Sequence, residues 1–442
     1  MNKKILVIHL NEFNLKFLKN GALKYKCKNI NKFLKYKKIK TYSIDKIQDK
    51  NLDPWVQSVS INTGLKSKNH KMYNLGQKVP KKLNQVWDIL SKQNIKCAIW
   101  GTMNSTYINN KNIKIFFPDP WNNKTLIKPD NLNNFFKLPR AYAQNYTNFE
   151  ISKNLNSIFS FLTSCFKYGI MSYFIKHIFL YLKIFISSGF KNYFLFFLFD
   201  IISLKLFNNL TKNKDLNFSL IFLNSLAHFQ HNNWDEKKNY YKYFLLTEEI
   251  FKFINMIGSR YSDILIYNGF TQKKIKPEFI IRPKNPKIFL KNIGIKYINI
   301  NLNMTNGGII SFKNKNQKNL SIKLLKNYNI LGFKLFKITD LGPKSIYFSI
   351  QIKSKISFDS IDHDLNNKNK LIKNIFYDNK HSRLQTTYLN SDFKKFKNDM
   401  VFIKTTGKHF HEGQLLMKNK IINHKVIQNK DIFLILKNYF KI

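Results

Sequence analysis

The stretch Phe218-Ser-Leu-Ile-Phe-Leu223, followed by Asn224-Ser-Leu-Ala-His228-Phe-Gln-His231-Asn-Asn-Trp234, decides how this chain is read. Its first half is a short apolar run of the kind that makes a strand buried on both faces. Its second half turns polar at Asn224, His228 and His231, and a helical pattern then covers residues 235–257. Strand, polar turn, helix is the repeating unit of an open α/β sheet, which holds its ligands beyond the C-terminal ends of its parallel strands. Two histidines three positions apart just past a strand can serve one pocket. Equally, they can be hydrogen-bonded residues of a helix start with no chemistry of their own.

The same grammar recurs outward from this stretch. Residues 5–10 form an apolar run that passes into Asn11-Glu12-Phe13, and residues 38–44 give a second strand. Asp53-Pro54 opens a helix with an N-cap residue and a proline in the first turn, and Gly64 closes it. Leu83, Val86, Trp87 and Leu90 repeat at helical spacing, and strands are expected at 96–100 and 113–117. Residues 263–267 make a strand ending in Asn268-Gly269. A further strand at 399–403 leads into Thr405-Thr-Gly407-Lys-His409-Phe-His411-Glu412-Gly413. The pattern predicts an α/β fold with a mostly parallel central sheet flanked by helices, built from residues 1–153 and 214–442. The Asn/Lys-rich stretches 313–319 and 365–371 are expected to be loops.

Residues 154–213 have another texture, crowded with Phe, Ile, Leu and Tyr and broken by Lys167, Lys176, Lys183, Lys191, Asp200 and Lys205. No charge-free gap there reaches the roughly 18–20 residues of a membrane-spanning helix. The stretch is expected to be a helical insertion capping the core. It is either a buried hairpin or a set of basic amphipathic helices attached to a membrane surface.

A formal charge of +50 on 442 residues invites a nucleic-acid reading, but Arg140, Arg260, Arg282 and Arg383 are the only arginines among 75 basic residues. Recognition of phosphates and bases favours arginine, and the lysines are spread along the whole chain, so no nucleic-acid partner is expected. Cys27, Cys97 and Cys165 are far apart, which argues for a reducing compartment and against a thiolate metal site. The expected location is cytoplasmic, with the inner membrane face as the alternative for a peripheral protein. The apolar run at 5–10 is too short for a signal peptide and is read as the first strand.

Several of these motifs resemble the alkaline phosphatase superfamily, and within it the type I phosphodiesterase/nucleotide pyrophosphatase branch. Thr63-Gly64-Leu65 with His70 and Leu75-Gly76 fits the family's helix end and the loop after it. His228 occupies the histidine of an Asp-x-x-x-His motif, and His409 with Gly413 matches a His-x-x-x-Gly turn. The resemblance covers roughly residues 1–150 and 216–430. It implies hydrolysis or transfer of a phosphoester at a two-zinc site, with a hydroxyl or thiol nucleophile.

The sequence departs from that pattern at the ligands. Asn11 stands in a metal-binding Asp slot with Glu12 beside it, and Asn224 in a second. Tyr267-Asn268-Gly269 replaces an Asp-His-Gly triplet, while Pro54, preceded by Asp53, fills the nucleophile slot. Amides are poor zinc ligands, so a two-zinc mechanism does not carry over. The remaining expectation has His228, His231 and His409 as metal ligands for zinc or manganese, with His411 and Glu412 as supporting partners. Asp53 and Glu12 are the catalytic candidates, and Asn11, Gln57, Asn224 and Asn268 the substrate-binding ones. The expected partner is a phosphoester-containing small molecule or lipid-linked substrate, and the oligomeric state is open. The competing expectation is a binding or scaffold protein that keeps the fold without the chemistry.

Overall fold

Ile5–Leu10, buried at all six positions, is the strand β1 around which an eight-stranded sheet is built. The structure is a computed structural model describing residues 3–45, 52–122, 125–145, 149–188, 192–302, 307–330, 333–350, 353–354 and 400–442. The other strands of this sheet are Lys37–Tyr42 (β2), Cys97–Trp100 (β3), Ile113–Phe117 (β4), Phe218–Leu223 (β5), Asp263–Tyr267 (β6), Glu412–Met417 (β7) and Val426–Gln428 (β8). Their order is β8-β2-β7-β6-β1-β5-β3-β4.

β1 pairs in parallel with β5 and β6, and β3 in parallel with β5 and β4. Only β7 runs against its neighbours, β2 and β6. The α/β class with a mostly parallel sheet therefore stands as expected. Alternation along β1 sends Leu6, Ile8 and Leu10 into one apolar layer and Ile5 and Val7 into the other. Helices cover both faces, which is why the central strands β1, β5 and β3 are buried throughout.

The helices up to residue 258, in chain order, are Leu15–Lys24 (α1), Lys28–Leu34 (α2), Pro54–Thr63 (α3), Ser67–His70 (α4), Val86–Lys92 (α5), Asn133–Asn145 (α6), Leu155–Lys167 (α7), Met171–Lys176 (α8), Ile178–Ser188 (α9), Asn192–Thr211 (α10), Ser225–Asn232 (α11) and Tyr240–Gly258 (α12), and Ile432–Tyr439 packs against the sheet from the C-terminal side of the chain. Asp53 and Pro54 begin α3 as expected, and Gly64 ends it in the left-handed conformation, φ 72°. His228 and His231 lie within the short helix α11, not in a loop before a long one.

The insertion forms four helices, α7 to α10, whose inner faces join the same apolar layer as α12, through Cys165, Ile170, Tyr181, Ile184 and Phe197. One of them, over Tyr193–Thr211, is long and apolar enough to cross a membrane by length and composition. Half of that window is buried against the protein, and Phe197, Ile201, Leu204 and Phe207 are fully enclosed. A core helix passes the same test for the same reason, a continuous apolar surface.

The chain divides into two compact units at places the sequence reading did not anticipate. Residues 152–274 stay with the sheet, whereas 275–406, with 141–151, form a second unit. That unit has its own antiparallel four-stranded sheet, ordered Phe336–Asp340, Ser345–Ile350, Gly307–Ser311 and Asn299–Leu302. Its core includes Phe289, Leu290, Ile310, Leu325 and Phe348. The expected loop at 313–319 is instead the start of a helix, Lys315–Asn327, with the Asn314 side chain as its N-cap. The other expected loop, 365–371, lies outside the described residues.

Candidate functional site

The C-terminal ends of β1, β5 and β6 meet at one sheet edge. Because β7 is antiparallel, its beginning lies at that same edge. Asn11 and Glu12 leave β1, Asn224 leaves β5, Asn268 leaves β6, and His409 precedes β7. His409 sits near the end of the strand Met400–Phe410, where a turn was expected.

Glu12 is the focus. Its backbone is left-handed, φ 53°, a conformation that costs a glutamate about 1 kcal/mol and persists only where the surroundings enforce it. Two glutamines do so: Gln230 Nε2 donates to the Glu12 carbonyl at 2.9 Å, and the Gln272 side chain donates to the carboxylate. A Cβ on Gly407 would collide with both the Gln272 side chain and the Gln230 carbonyl, so the incoming strand can pass only as glycine.

Glu12 Oε2 lies 3.0 Å from His231 Nε2 and 3.2 Å from His409 Nε2. The carboxylate side chain is 1 % exposed, while the two imidazoles are 30 % and 23 % exposed, so the trio is closed at its floor and open at its rim. Burial alone would raise the Glu12 carboxyl; His409 and His231 outweigh it and hold it well below the usual range. Burial likewise opposes a charge on His409, and Glu12, Asp53 and a hydrogen bond to the Leu52 carbonyl raise it nonetheless.

The three residues fit a divalent cation. Their ligand atoms all lie within 4.8 Å of one another. Two ligand atoms each about 2.0–2.1 Å from a tetrahedral ion are roughly 3.3 Å apart, close to the separations found here. His409 Nε2 is buried and makes no aligned hydrogen bond. Nε2 is the atom of the ring that faces the carboxylate. Two imidazoles and a carboxylate suit zinc or manganese and leave coordination positions open.

His228 is not part of this trio. Its ring lies flat on Phe196 of α10, centroids 3.3 Å apart and 9° between planes, and its Nε2 accepts from Asn224 Nδ2 at 3.1 Å. Burial, with His231 adding to it, pushes its pKa down to about 3, so the ring is neutral. Asn224 Oδ1 in turn accepts from Asn11 Nδ2 at 2.7 Å, and Asn11 Nδ2 also donates to Glu12 Oε1 at 3.0 Å. The two asparagines thus link His228 to Glu12 as a hydrogen-bonded bridge.

The other two amides expected to bind substrate are pins between strands. Asn268 donates to the Phe13 carbonyl at 2.6 Å and accepts from the Gln414 amide at 2.6 Å. Gln57 donates to Asp45 at 2.7 Å and accepts from Asn429 at 2.6 Å. Asn268 and Gln57 are both fully buried. His411 and Glu412, expected as supporting partners, are exposed, with His411 against the Phe410 ring.

Asp53 begins α3 without capping it through its side chain. Desolvation pushes its carboxyl up to about 6; His409 pulls it down and Glu12 adds to the rise, which places Asp53 in electrostatic reach of the trio. Deeper in α3, Ser60 Oγ and His70 Nε2 are 2.9 Å apart, the spacing of a nucleophile and its base. His70 Nδ1, however, accepts from the Met72 amide at 3.0 Å. The neutral ring therefore carries its proton on Nε2 and donates to Ser60, and burial drives its pKa down to about 4. That is the wrong tautomer for activating a serine.

Three side chains that shape the site had no sequence signal. Asp200 of α10 accepts from the Asn224 and Ser225 amides at 2.9 and 2.8 Å, capping α11 from outside. Phe196 covers His228, and Gln272 follows β6 by a turn. Each acts at a distance in sequence that no local pattern reveals.

No protein-family model matches the chain, and no curated protein matches it in sequence. Solved structures do. Human ectonucleotide pyrophosphatase/phosphodiesterase 5 matches at 8 % identity and TM-score 0.42, covering 100 % of this chain and 95 % of that one. The alkaline phosphatase of the Antarctic bacterium TAB5 matches at 10 % and 0.39, covering 100 % and 98 %. Phosphonoacetate hydrolase from Sinorhizobium meliloti, in complex with phosphonoacetate, matches at 8 % and 0.42, covering 99 % and 96 %. All three belong to the superfamily that the motifs resemble. Likeness this slight carries no argument about chemistry, which rests on the residues above.

Proposed function

We propose that this chain is a divergent phosphoester hydrolase or phosphotransferase of alkaline-phosphatase-like fold that works with one divalent cation, zinc or manganese, held by Glu12, His231 and His409. The observation that carries the reading is the convergence of those three ligand atoms, with His409 Nε2 left unbonded beside the carboxylate. A cation bound there would supply Lewis acidity toward a phosphoryl oxygen.

The protein's own groups supply the rest. Glu12, held ionised, provides the negative charge of the floor. The partly exposed imidazoles give a substrate its approach from the open side. Asp53, with its carboxyl at about 6, exchanges a proton near neutral pH and suits a general base for an attacking water. Pro54 in the nucleophile slot and the wrong tautomer at His70 favour this water attack over a covalent serine intermediate. The substrate is a small phosphoester, free or lipid-linked. Three buried, unpaired cysteines support a cytoplasmic location.

A second reading is favoured by the donors around Glu12. Asn11 and Gln272 already donate to its oxygens and His231 lies within ion-pair distance, as in a polar network that has outlived its chemistry. Metal content of the purified protein, followed by hydrolysis of 4-nitrophenyl phosphate mono- and diesters with added zinc or manganese, separates the two. Stoichiometric metal with turnover lost in Glu12→Gln supports the enzyme; a metal-free protein without turnover leaves the scaffold.

A further inference from the structure

Helices α7 and α9 each bury one face and leave an apolar stripe on the other. On α7 the exposed Leu155, Phe159, Leu162 and Phe166 are 60 %, 70 %, 42 % and 65 % accessible. At 100° per residue they fall within an arc of roughly 60°, turned about 90–130° from Phe161 and Cys165, which pack into the core. On α9, Phe179, Leu182 and Ile186 are 84 %, 46 % and 78 % accessible, again within roughly 60°, while Tyr181 and Ile184 face inward. Folding gains nothing from apolar rings held in water, and stripes this ordered mark a surface made for contact.

The charge around them says with what. From residue 152 to 188 there are four lysines, Lys153, Lys167, Lys176 and Lys183, and no Asp or Glu. All four lysines are exposed. Phenylalanine and leucine on one side of a helix, in a segment whose own charged residues are all lysines, is the pattern of a helix lying in the headgroup region of an anionic bilayer.

We propose that α7 and α9 dock this protein on an anionic lipid surface, entering the headgroup boundary with Leu155, Phe159, Phe166, Phe179 and Ile186. The contact is peripheral, since the apolar α10 behind these helices is engaged in the core. It stands independently of the hydrolase reading.

The test is flotation of the full-length protein with vesicles of phosphatidylcholine, with and without about one third phosphatidylglycerol. A protein of charge +50 adheres to anionic vesicles by charge alone, so the decisive variants keep every lysine. Phe159→Ser with Phe166→Ser, and Phe179→Ser with Ile186→Ser, alter only exposed side chains; circular dichroism confirms that they fold. The expected result is binding to the anionic vesicles that survives raised salt in the wild type and falls at least tenfold in either double variant. Equal binding by wild type and variants overturns the proposal, as does no vesicle binding at all. Self-association in sedimentation velocity that the serine variants abolish, with no lipid binding, also overturns it and assigns the stripes to a second copy of the chain.

Discussion

Nε2 of His409 lies 3.2 Å from Oε2 of Glu12 and yet off the line of any hydrogen bond between them. The His231 ligand atom lies within 4.8 Å of both. Calorimetric titration with zinc or manganese should therefore show one site. Glu12→Gln and His409→Ala should each weaken it by at least about tenfold, the scale on which metal sites respond to altered surroundings. His228→Ala should leave the affinity within a few-fold, because its Nε2 already faces Asn224. Equal affinity in wild type and Glu12→Gln would remove the trio as the metal site.

Ser60→Ala tests the tautomer at His70. With Met72 donating to Nδ1, the serine oxygen receives a proton and has no base to remove its own. Hydrolysis rates should stay within about twofold of wild type. A loss of the order of 100-fold or more, typical of losing a nucleophile or its base, would make Ser60 the nucleophile after all.

Asp53 makes stability depend on pH in a direction that can be stated. In the folded protein its carboxyl sits at about 6, against an ordinary 3.8, so the folded state holds the proton more tightly than the unfolded chain. Its contribution to stability is complete below about pH 3.8 and disappears as the pH rises through about 6. In chelator-treated protein, the melting-temperature advantage of wild type over Asp53→Asn should shrink from pH 4 to pH 7. A constant difference across that range would show that the carboxyl is not desolvated. Glu12 works the other way: its contribution is complete above about 4.5 and is lost as the pH falls through its lowered folded value.

Asp200→Ala should destabilise the fold by about 1–3 kcal/mol, the cost of leaving buried donors unpaired. Its carboxylate takes the two amides at the start of α11, and nothing local replaces it. Loss should appear in chemical denaturation. An unchanged midpoint would mean that water reaches those amides.

Much of the sheet was legible because β1, β5 and β6 are apolar on both faces, and a run such as Phe218–Leu223 has few other fates. The placement of Glu12, His231 and His409 at one edge followed from strand ends. What could not be read was direction: β7 has the composition of its neighbours and runs opposite to them, bringing His409 to the edge from the far side. His228 was misplaced because spacing alone cannot tell which of two helix residues turns toward a carboxylate and which toward a phenylalanine. Asn268 and Gln57 had the chemistry of ligand-binding amides. Only their partners, the Phe13 carbonyl, the Gln414 amide, Asp45 and Asn429, reveal them as pins. The second unit's short amphipathic strands give only weak patterns taken one at a time.

The antiparallel β7 also sets a timetable. A ribosome makes Glu12 first, then His231 and then His409, so the trio exists only once residue 409 has been synthesised. Until then β2 and β6 have no strand between them, and each presents an unpaired edge to its surroundings. A nascent or truncated chain ending before residue 407 carries two sticky edges and two thirds of a site. When β7 arrives it pairs with β2 and β6 and completes the trio together, and β8 then adds to the far side of β2.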